Sequence, residues 1–278
     1  MAIGISVLYN YKKENLEVKE ITTNNAISES GITDYCINPY AGCQHACKYC
    51  YARFVSRFYG RKMNEWGKFV YAKVNLPKLL STEKKLKKPG EIILSSTTDA
   101  YQPLEEKYQI TRKVLQELLS EERFSVVIQT KSSLVLRDMN IIKSFGSRIK
   151  VGFTITMNDE MAKIFEPGAS STSQRIEALR KLKENGVTTY AFLGPLIPGV
   201  SDFEWLVEQV REFSDYIYVD KLNLRPGVWQ SLLPTLSEVG KLEEVRENLE
   251  SNSLYYKEIK KKAKELSEKY KIEFDVIF

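Results

Sequence analysis

Short apolar or β-branched runs alternate with helical patterns along most of this chain. Strand-like runs lie at 91–95, 124–129, 150–156, 188–193 and 216–222, and helical stretches follow them. In the stretch at 203–213, apolar residues recur on one helix face that could cover a sheet: Phe203, Leu206, Val207, Val210 and Phe213. The alternation predicts right-handed βαβ units around a parallel sheet.

A first strand near residues 35–39 raises the count to about six βα units, fewer than the eight of a closed barrel of roughly 250 residues or more. We therefore predict an α/β fold, a partial (β/α)6 TIM-like barrel with a C-terminal helical extension. Residues 1–34 are polar and irregular and predict a lead-in. The remainder shows no internal linker or repeat, so we expect residues 35–278 to form one core domain with C-terminal helices.

Polar or glycine-containing segments follow three of the predicted strands. They lie at 95–99, 130–133 and 194–199. The carboxyl ends of parallel strands meet at one edge of a sheet, and ligands bind outside that edge. We therefore expect the functional residues in these segments.

The composition, with 41 basic and 36 acidic residues among 278, suits a globular chain with a sizeable core. Its net charge of +5 is compatible with an anionic partner and equally with an ordinary enzyme. No apolar run approaches the roughly 18 residues of a membrane span, and the first residues do not read as a signal segment. We expect no membrane partner and a cytoplasmic, reducing location.

Residues that ligate soft metals are confined to one short stretch. The single histidine, His45, and all four cysteines, Cys36, Cys43, Cys47 and Cys50, lie within residues 36–50. This distribution excludes a histidine-based triad with a remote nucleophile and a zinc site built from scattered histidines. It also excludes a disulfide framework through the body of the protein.

Cys43, Cys47 and Cys50 are close enough in sequence for their sulfurs to converge on one centre. One interpretation is zinc, with Cys36 or His45 as fourth ligand, although structural zinc sites usually bring two ligand pairs from separate segments. Another is an iron–sulfur cluster, either with Cys36 as fourth ligand or with three cysteines alone. Three ligands would leave one iron open to bind a small molecule.

The segment from Asn38 to Arg53 reads NPYAGCQHACKYCYAR. It resembles the radical S-adenosylmethionine (SAM) superfamily, and in particular its spore-photoproduct-lyase-like branch, which is related to DNA repair. Further strings match that branch in the same order over roughly residues 35–200: Thr98–Asp99, Tyr101–Pro103, Thr130–Lys131, Phe153–Ile155, Phe165–Gly168 and Arg175–Lys181.

The resemblance implies a 4Fe-4S cluster on Cys43, Cys47 and Cys50, whose fourth iron chelates the amino and carboxylate groups of SAM. An electron from the reduced cluster, supplied by an external flavodoxin- or ferredoxin-like donor, would cleave SAM to methionine and a 5′-deoxyadenosyl radical. That radical abstracts hydrogen from a substrate. The protein's part in such chemistry is to orient the cofactors and keep water away.

The resemblance also implies roles for single residues at the strand ends. The amino group of SAM would contact Ser96, Thr98 and Asp99. Lys131 would bind its carboxylate, Thr154 its ribose and Gly194 its adenine through the backbone, with Arg175 as a further candidate. The expected catalytic residues, which border the radical path, are Tyr49, Tyr51 and Tyr101.

Thr97 departs from the branch. Lyases that repair thymine dimers carry a cysteine at this position, which returns a hydrogen atom to the product radical. A threonine O–H bond is too strong for that step, so either one of the three tyrosines donates or the adenosyl radical is consumed. The sequence has no cysteine after Cys50, which excludes an auxiliary cluster in its later part.

Arg53, Arg57 and Arg61 would share one helix face beside the cysteines if the helix runs to residue 61, and aromatic residues lie between them. Arginines with stackable rings bind nucleic-acid backbones and bases, so this face predicts a DNA or nucleotide substrate. The alternative is that the rings pack in the core and the arginines are a solvated face.

Three functions remain open on the sequence alone. The leading one is a radical SAM enzyme, lyase-like, that acts on a nucleic-acid base or lesion. The second is a radical SAM enzyme that acts on a small molecule or a protein side chain. The third is a non-catalytic zinc- or metal-binding module built on the four cysteines.

Overall fold

The predicted α/β partial barrel is confirmed by the computed structural model, which describes residues 16–250 and 253–278. The strands in this part of the chain are β1 (Glu17–Ile21), β2 (Ser28–Glu29), β3 (Tyr35–Ile37), β4 (Tyr40–Ala41), β5 (Phe69–Lys73), β6 (Gly90–Leu94), β7 (Phe124–Thr130), β8 (Ile149–Thr154), β9 (Thr188–Leu196), β10 (Tyr216–Lys221) and β11 (Glu273–Val276).

The helices lie between and after these strands. They are α1 (Leu76–Glu83), α2 (Glu105–Tyr108), α3 (Ile110–Leu119), α4 (Met139–Ser144), α5 (Asp159–Phe165), α6 (Thr172–Glu184), α7 (Phe203–Val210), α8 (Val228–Glu238), α9 (Leu242–Glu247) and α10 (Leu254–Tyr270). Short 3₁₀ helices lie at Tyr51–Tyr59, Met63–Glu65, Lys84–Leu86, Ser133–Asp138, Gly146–Arg148 and Arg211–Phe213. None of the helices described is long and apolar enough to cross a membrane.

The main sheet has eight strands in the order β2-β3-β6-β7-β8-β9-β10-β11. All neighbours are parallel except β2 and β3, which pair antiparallel. The run from β3 to β10 therefore contains the six parallel strands that the sequence predicts. A second sheet has the order β1-β5-β4 and carries the chain into the cysteine-rich segment.

The two ends of the described chain differ from the prediction. Residues of the expected lead-in form β1 and β2, which pair with β5 and β3, while residues 1–15 lie outside the described part. The C-terminal extension is not only helical, because β11 follows α10 and pairs in parallel with β10. Both β2 and β11 have four residues or fewer, too short for a clear period in the sequence.

The two faces of the main sheet carry different side chains. The outer face packs against the helices through alternate strand residues such as Ile92, Val126 and Val151, all fully or almost fully buried. The inner face of the partial barrel carries the other set, and β9 and β10 contribute aromatic residues to it. A Cβ on Gly152 of β8 would overlap the ring of Tyr190, so the glycine leaves room for an inner-face tyrosine.

Candidate active site

The cysteine loop, residues 42–50, connects β4 to the 3₁₀ helix at Tyr51–Tyr59. The loop packs closely on β5, because Gly42 has a φ of +79° and a Cβ there would overlap the carbonyl oxygen of Phe69. Cys43 and Cys47 are buried, Cys50 is partly buried, and all three are free thiols. The fold therefore brings the predicted metal ligands to the edge where the parallel strands end.

The connection after β6 holds the first half of the cysteine loop. Gln102 is fully buried there, and its Nε2 donates to the Gly42 carbonyl at 3.2 Å. Its Oε1 accepts from the Gln44 N–H at 2.9 Å. One side chain thus pairs both a donor and an acceptor of the loop backbone. Gln102 belongs to one of the strings that resemble the lyase branch. In this structure its side chain holds the backbone of the cysteine loop.

The turn after α5 holds the second half of the cysteine loop. The Lys48 N–H donates to the Phe165 carbonyl at 2.8 Å, and the Gly168 N–H donates to the His45 carbonyl at 3.1 Å. A Cβ on Gly168 would overlap the Gln44 carbonyl, so glycine is needed for this approach. The loop is therefore fixed on both sides by segments far away in the sequence.

The three loop thiols interact electrostatically. Burial raises the pKa of Cys43, Cys47 and Cys50, and charges on Asp99 and on the other two sulfurs raise that of Cys43 further. The ammonium of Lys131 acts in the opposite direction on Cys47 and Cys50. Three buried thiols this close cannot all ionise without added positive charge, which bound metal supplies.

The zinc and iron–sulfur interpretations of the cysteine loop differ in the fourth ligand that they need. In residues 16–250 and 253–278, no three cysteine, histidine, aspartate or glutamate side chains are grouped to hold one metal ion. Cys36 packs on the inner face of β3 against Ile93 and Val127, in a different group of side chains from the loop cysteines. Cys36 is therefore not placed as a fourth ligand, whereas His45, the other candidate, has a buried Nε2 without a hydrogen-bond partner among the described residues.

The structure gives Asp99 a different role from the predicted SAM contact, because its oxygens are already occupied. Oδ1 accepts from the Tyr101 N–H (2.8 Å) and the Thr130 hydroxyl (2.7 Å), while Oδ2 accepts from the Lys131 N–H (2.8 Å) and lies 3.3 Å from His45 Nδ1. Burial alone would raise the pKa of Asp99, but the charge of His45 and these hydrogen bonds lower it to about 2. Asp99 therefore ties the cysteine loop to the ends of β6 and β7.

Thr98, Ser96 and Lys131 keep groups free for a ligand at the same edge. Thr98 Oγ1 is buried and has no hydrogen-bond partner among the described residues. Ser96 Oγ accepts only a long hydrogen bond, of 3.4 Å, from Asn38 Nδ2. The ammonium of Lys131 lies 5.6 Å from the ring centroid of Tyr49. An unpaired acceptor and a neighbouring ammonium fit the amino and carboxylate groups of SAM.

Arg175 was predicted as a SAM contact, and the structure contradicts that prediction. Its side chain is fully buried and donates to the carbonyls of Ser170 (2.9 Å) and Thr154 (2.8 Å) and to the carboxylate of Glu166. Glu166 also accepts from the hydroxyl of Tyr49, so Arg175 and Glu166 position the aromatic residue that precedes Cys50. Sequence reasoning missed Glu166, although it lies in a string that resembles the branch.

The predicted catalytic role of Tyr101 is also contradicted. The residue is fully buried in the main core, next to Leu104, and its hydroxyl donates to Asp138 at 3.1 Å. The guanidinium of Arg137 lies 6.0 Å from its ring centroid. The side chain of Tyr101 is therefore part of a buried group with Arg137 and Asp138. Its backbone N–H donates to the carboxylate of Asp99.

Tyr51 remains at the mouth of the partial barrel, with 39% of its surface exposed. Its hydroxyl donates to the Ser96 carbonyl at 2.5 Å, and the guanidinium carbon of Arg225 lies 5.9 Å from its ring centroid. Burial and the charges of Cys50 and Asp220 raise the pKa of Tyr51 to about 12, against the opposing charge of Arg225. The phenol therefore keeps its proton, as a hydrogen-atom relay requires.

Thr154 and Gly194 lie at the ends of β8 and β9, as predicted for residues near the nucleoside. Thr154 Oγ1 accepts from Gln129 Nε2 at 3.2 Å. A Cβ on Gly194 would lie 2.6 Å from Phe192 Cε1 and 2.9 Å from Asp220 Cβ, so this glycine makes room for two inner-face side chains. The predicted backbone contact with adenine stays a prediction, and Asp220 is a residue that the sequence reasoning missed.

The predicted arginine face does not form. The segment is a 3₁₀ helix with about three residues per turn, and it ends at Gly60, so Arg53, Arg57 and Arg61 do not align. Arg53 is buried and donates to the carbonyls of Cys47, Lys48 and Cys50 at 3.1–3.3 Å.

Arg61 is bound as well, because it pairs with Glu17 and Glu65. Arg57 is exposed, and its guanidinium makes a long approach of 3.6 Å to the sulfur of Met63. Of the aromatic residues, Trp66, Phe69 and Tyr71 pack in a core cluster, as the alternative interpretation expects. One arginine of the predicted three is therefore available to a nucleic acid.

The sequence model of the radical SAM superfamily matches residues 37–210 of this chain. The chain belongs to the radical SAM superfamily. The matched span runs from the end of β3 to the end of α7 and contains the whole cysteine loop. Membership makes the protein an enzyme of this superfamily and argues against the non-catalytic zinc module.

Two related sequences are described as uncharacterized proteins. One, from Methanocaldococcus jannaschii, is 41% identical over 217 residues, which cover 78% of this chain and 80% of that protein. The other, from Acidianus two-tailed virus, is 26% identical over 235 residues, which cover 78% of this chain and 77% of that protein.

Solved structures share the fold of this radical SAM protein at low identity. Spore photoproduct lyase complexed with dinucleoside spore photoproduct matches with a TM-score of 0.69 and 15% identity, over 94% of this chain and 82% of that one. A mutant of that lyase matches with a TM-score of 0.62 and 17% identity, over 80% of this chain and 66% of that one. SuiB of Streptococcus suis, bound to its precursor peptide SuiA, matches with a TM-score of 0.52 and 10% identity, over 87% of this chain and 48% of that one.

Proposed function

We propose that this protein binds a 4Fe-4S cluster through Cys43, Cys47 and Cys50 and cleaves SAM reductively. The observation that carries the proposal is the cysteine loop itself, which presents three free, electrostatically coupled thiols at the carboxyl edge of the sheet. Membership of the radical SAM superfamily supports the choice of cluster and cofactor.

The protein's own residues would bind and orient SAM at this edge. The unpaired hydroxyl of Thr98 and the weakly bonded hydroxyl of Ser96 would accept from its amino group, and the ammonium of Lys131 would pair with its carboxylate. When bound there, a 4Fe-4S cluster would supply the electron for the reductive cleavage of SAM to methionine and a 5′-deoxyadenosyl radical. Tyr51, a protonated phenol beside Cys50, would border the path of that radical to a substrate.

We propose a nucleobase, free or within a nucleic acid, as the substrate. One support is the likeness to a lyase whose structure contains a dinucleoside spore photoproduct. Another is the aromatic inner face of β9 and β10, since rings are the surface on which bases stack. The likeness to SuiB with a bound precursor peptide favours the second candidate, a protein side chain.

We also propose that the protein works in the cytoplasm with an external flavodoxin- or ferredoxin-like electron donor. The four cysteines are all free thiols, and three of them lie in a site that oxidation would destroy, which supports a reducing compartment.

Anaerobic reconstitution with iron and sulfide tests the proposed cluster and reaction. After reduction in the presence of SAM, we expect a coloured protein that releases 5′-deoxyadenosine, measured by chromatography with mass spectrometry. Cys47→Ala should abolish the release and bleach the cluster band. Cys36→Ala is the matched control, because its thiol packs outside the loop, and it should retain both. A colourless protein that binds zinc tightly and releases no 5′-deoxyadenosine would refute the proposal.

A further inference from the structure

Four aromatic residues of β9 and β10 form an aromatic wall on the inner face of the partial barrel: Tyr190, Phe192, Tyr216 and Tyr218. The rings of Tyr190 and Tyr216 are stacked, with centroids 5.4 Å apart and an angle of 8° between their planes. Tyr218 meets Tyr190 edge-on at 5.4 Å and is tilted against Phe192 at 6.3 Å. Tyr190 is buried, while the other three rings are half-buried and leave part of their surface uncovered.

Asp220 follows this wall on the inner face, at the end where the cysteine loop lies. The pairing of β9 and β10 shifts there, so that two residues, Gly194 and Pro195, lie opposite Asp220 alone. Such a bulge redirects side chains and is common beside active sites. The absent side chain of Gly194 leaves space next to the carboxylate, since a Cβ there would lie 2.9 Å from Asp220 Cβ.

The carboxylate of Asp220 lacks a partner that would account for its position. Burial raises its pKa, and the hydrogen bond it accepts comes from the backbone N–H of the adjacent Lys221, at 2.8 Å. No lysine or arginine in the described part of the chain forms an ion pair with it, and the nearby Arg225 lies over the ring of Tyr51 instead. The carboxylate is half-buried and forms no hydrogen bond with another side chain of the described residues, although the charge of the adjacent Lys221 acts on it, so it points to a ligand that donates hydrogen bonds.

We propose that Asp220 binds an N–H group on the edge of a planar heterocyclic substrate whose face lies against Phe192 and Tyr218. The inference rests on the proposed function, and it assigns the residue that recognises the base. Asp220 lies at the carboxyl end of β10, so a ring held by Asp220 would lie at the edge of the sheet that carries the cysteine loop. A carboxylate accepts hydrogen bonds strongly and repels anions, so we infer that the group bound here is the base edge and not a phosphate.

Thymidine and N3-methylthymidine test this inference, because methylation removes the one N–H of the thymine edge. Binding of each to the reconstituted enzyme with SAM would be measured by isothermal titration calorimetry. We expect the wild type to prefer thymidine by about 10- to 100-fold, the range of a hydrogen bond to a charged group. Asp220→Leu, which has no acceptor, should abolish the preference, and Asp220→Asn, whose amide oxygen still accepts but carries no charge, should reduce it. Glu258→Gln, at an exposed position on α10, is the matched control and should retain it.

Several outcomes would overturn the assignment. Thymidine preference that persists in both Asp220 variants, or absence of thymidine binding to the wild type, contradicts it. Tighter binding of N-acetyllysine amide than of thymidine would identify a cationic side chain as the ligand. Weaker SAM binding by Asp220→Asn, measured without thymidine, would show that Asp220 contacts the cofactor and not the substrate. Release of 5′-deoxyadenosine without thymidine is measured separately, so failure of the proposed function is distinguishable from failure of this inference.

Discussion

The hydroxyl of Tyr49 donates a hydrogen bond to the carboxylate of Glu166, 117 residues further along the chain. Glu166 is almost fully buried, and it also accepts from the Thr156 hydroxyl (3.0 Å) and pairs with the fully buried Arg175. Tyr49, which lies between Cys47 and Cys50 in the loop, is thus held by the buried ion pair of Glu166 and Arg175. This arrangement makes Glu166 a positioning residue for the loop.

Replacing Glu166 by Gln should destabilise the protein and loosen the cysteine loop. The change leaves the guanidinium of Arg175 buried without a counter-charge, which typically costs about 3–5 kcal/mol in the free energy of unfolding. Urea denaturation measures the loss in the free energy of unfolding. Iron content after reconstitution reports whether the cysteine loop still binds a cluster. Glu177→Gln, which breaks an exposed helix pair with Arg180, is the control and should leave both nearly unchanged. Full iron content in Glu166→Gln would contradict the positioning role.

Asp99 should make the stability of the cluster-free protein depend on pH. Its pKa is lowered from 3.8 to about 2, so its contribution is present above about pH 4 and is lost as the pH falls toward 2. The shift corresponds to about 2 kcal/mol. Asp99→Asn should therefore be less stable than the wild type at pH 7, and the difference in denaturation free energy should shrink by pH 3. A difference that stays constant across this range would show that the pKa of Asp99 is not lowered as described.

Thr98→Val should weaken SAM binding without lowering stability. The hydroxyl is buried and unpaired, so the variant loses no internal hydrogen bond, but it removes the acceptor proposed for the amino group of SAM. We expect about tenfold weaker binding in calorimetry with the reconstituted protein. Thr130→Val is the matched control, because its hydroxyl donates to Asp99 and its loss should reduce stability instead. Unchanged SAM affinity in Thr98→Val would remove this residue from the cofactor site.

Replacing Arg53 and replacing Arg57 should have different effects, although the two residues are only four positions apart. Arg53→Ala removes the donor to three carbonyls of the cysteine loop and should reduce iron content after reconstitution. Arg57→Ala should leave the cluster intact and slightly weaken any salt-dependent binding of single-stranded DNA, measured by fluorescence anisotropy. If DNA binds the wild type without salt dependence, or not at all, the nucleic-acid interpretation of this segment is wrong.

The fold and the presence of a cysteine loop at the sheet edge could be predicted because each depends on residues that are close together in the sequence. Alternating strand and helix periods need only neighbouring residues, and the spacing of Cys43, Cys47 and Cys50 lies within one loop. Asp99 and Arg175 could not be placed, because whether a polar side chain meets a ligand or a protein partner depends on which distant segment packs against it. Arg53 was misplaced for a different reason, since the 3₁₀ and α patterns are hard to distinguish over nine residues.

The hydrogen bonds that hold the cysteine loop also imply an order in which the enzyme is assembled. The cysteine loop leaves the ribosome before the segments that hold it. The backbone groups that bind its second half belong to Phe165 and Gly168, and the positions of these groups depend on α5 and β8. A domain folds as a unit, so the three sulfurs gain their positions only after more than half of the chain has been made. Cluster insertion in the cell should therefore follow folding of the partial barrel, and the nascent loop by itself should not retain iron.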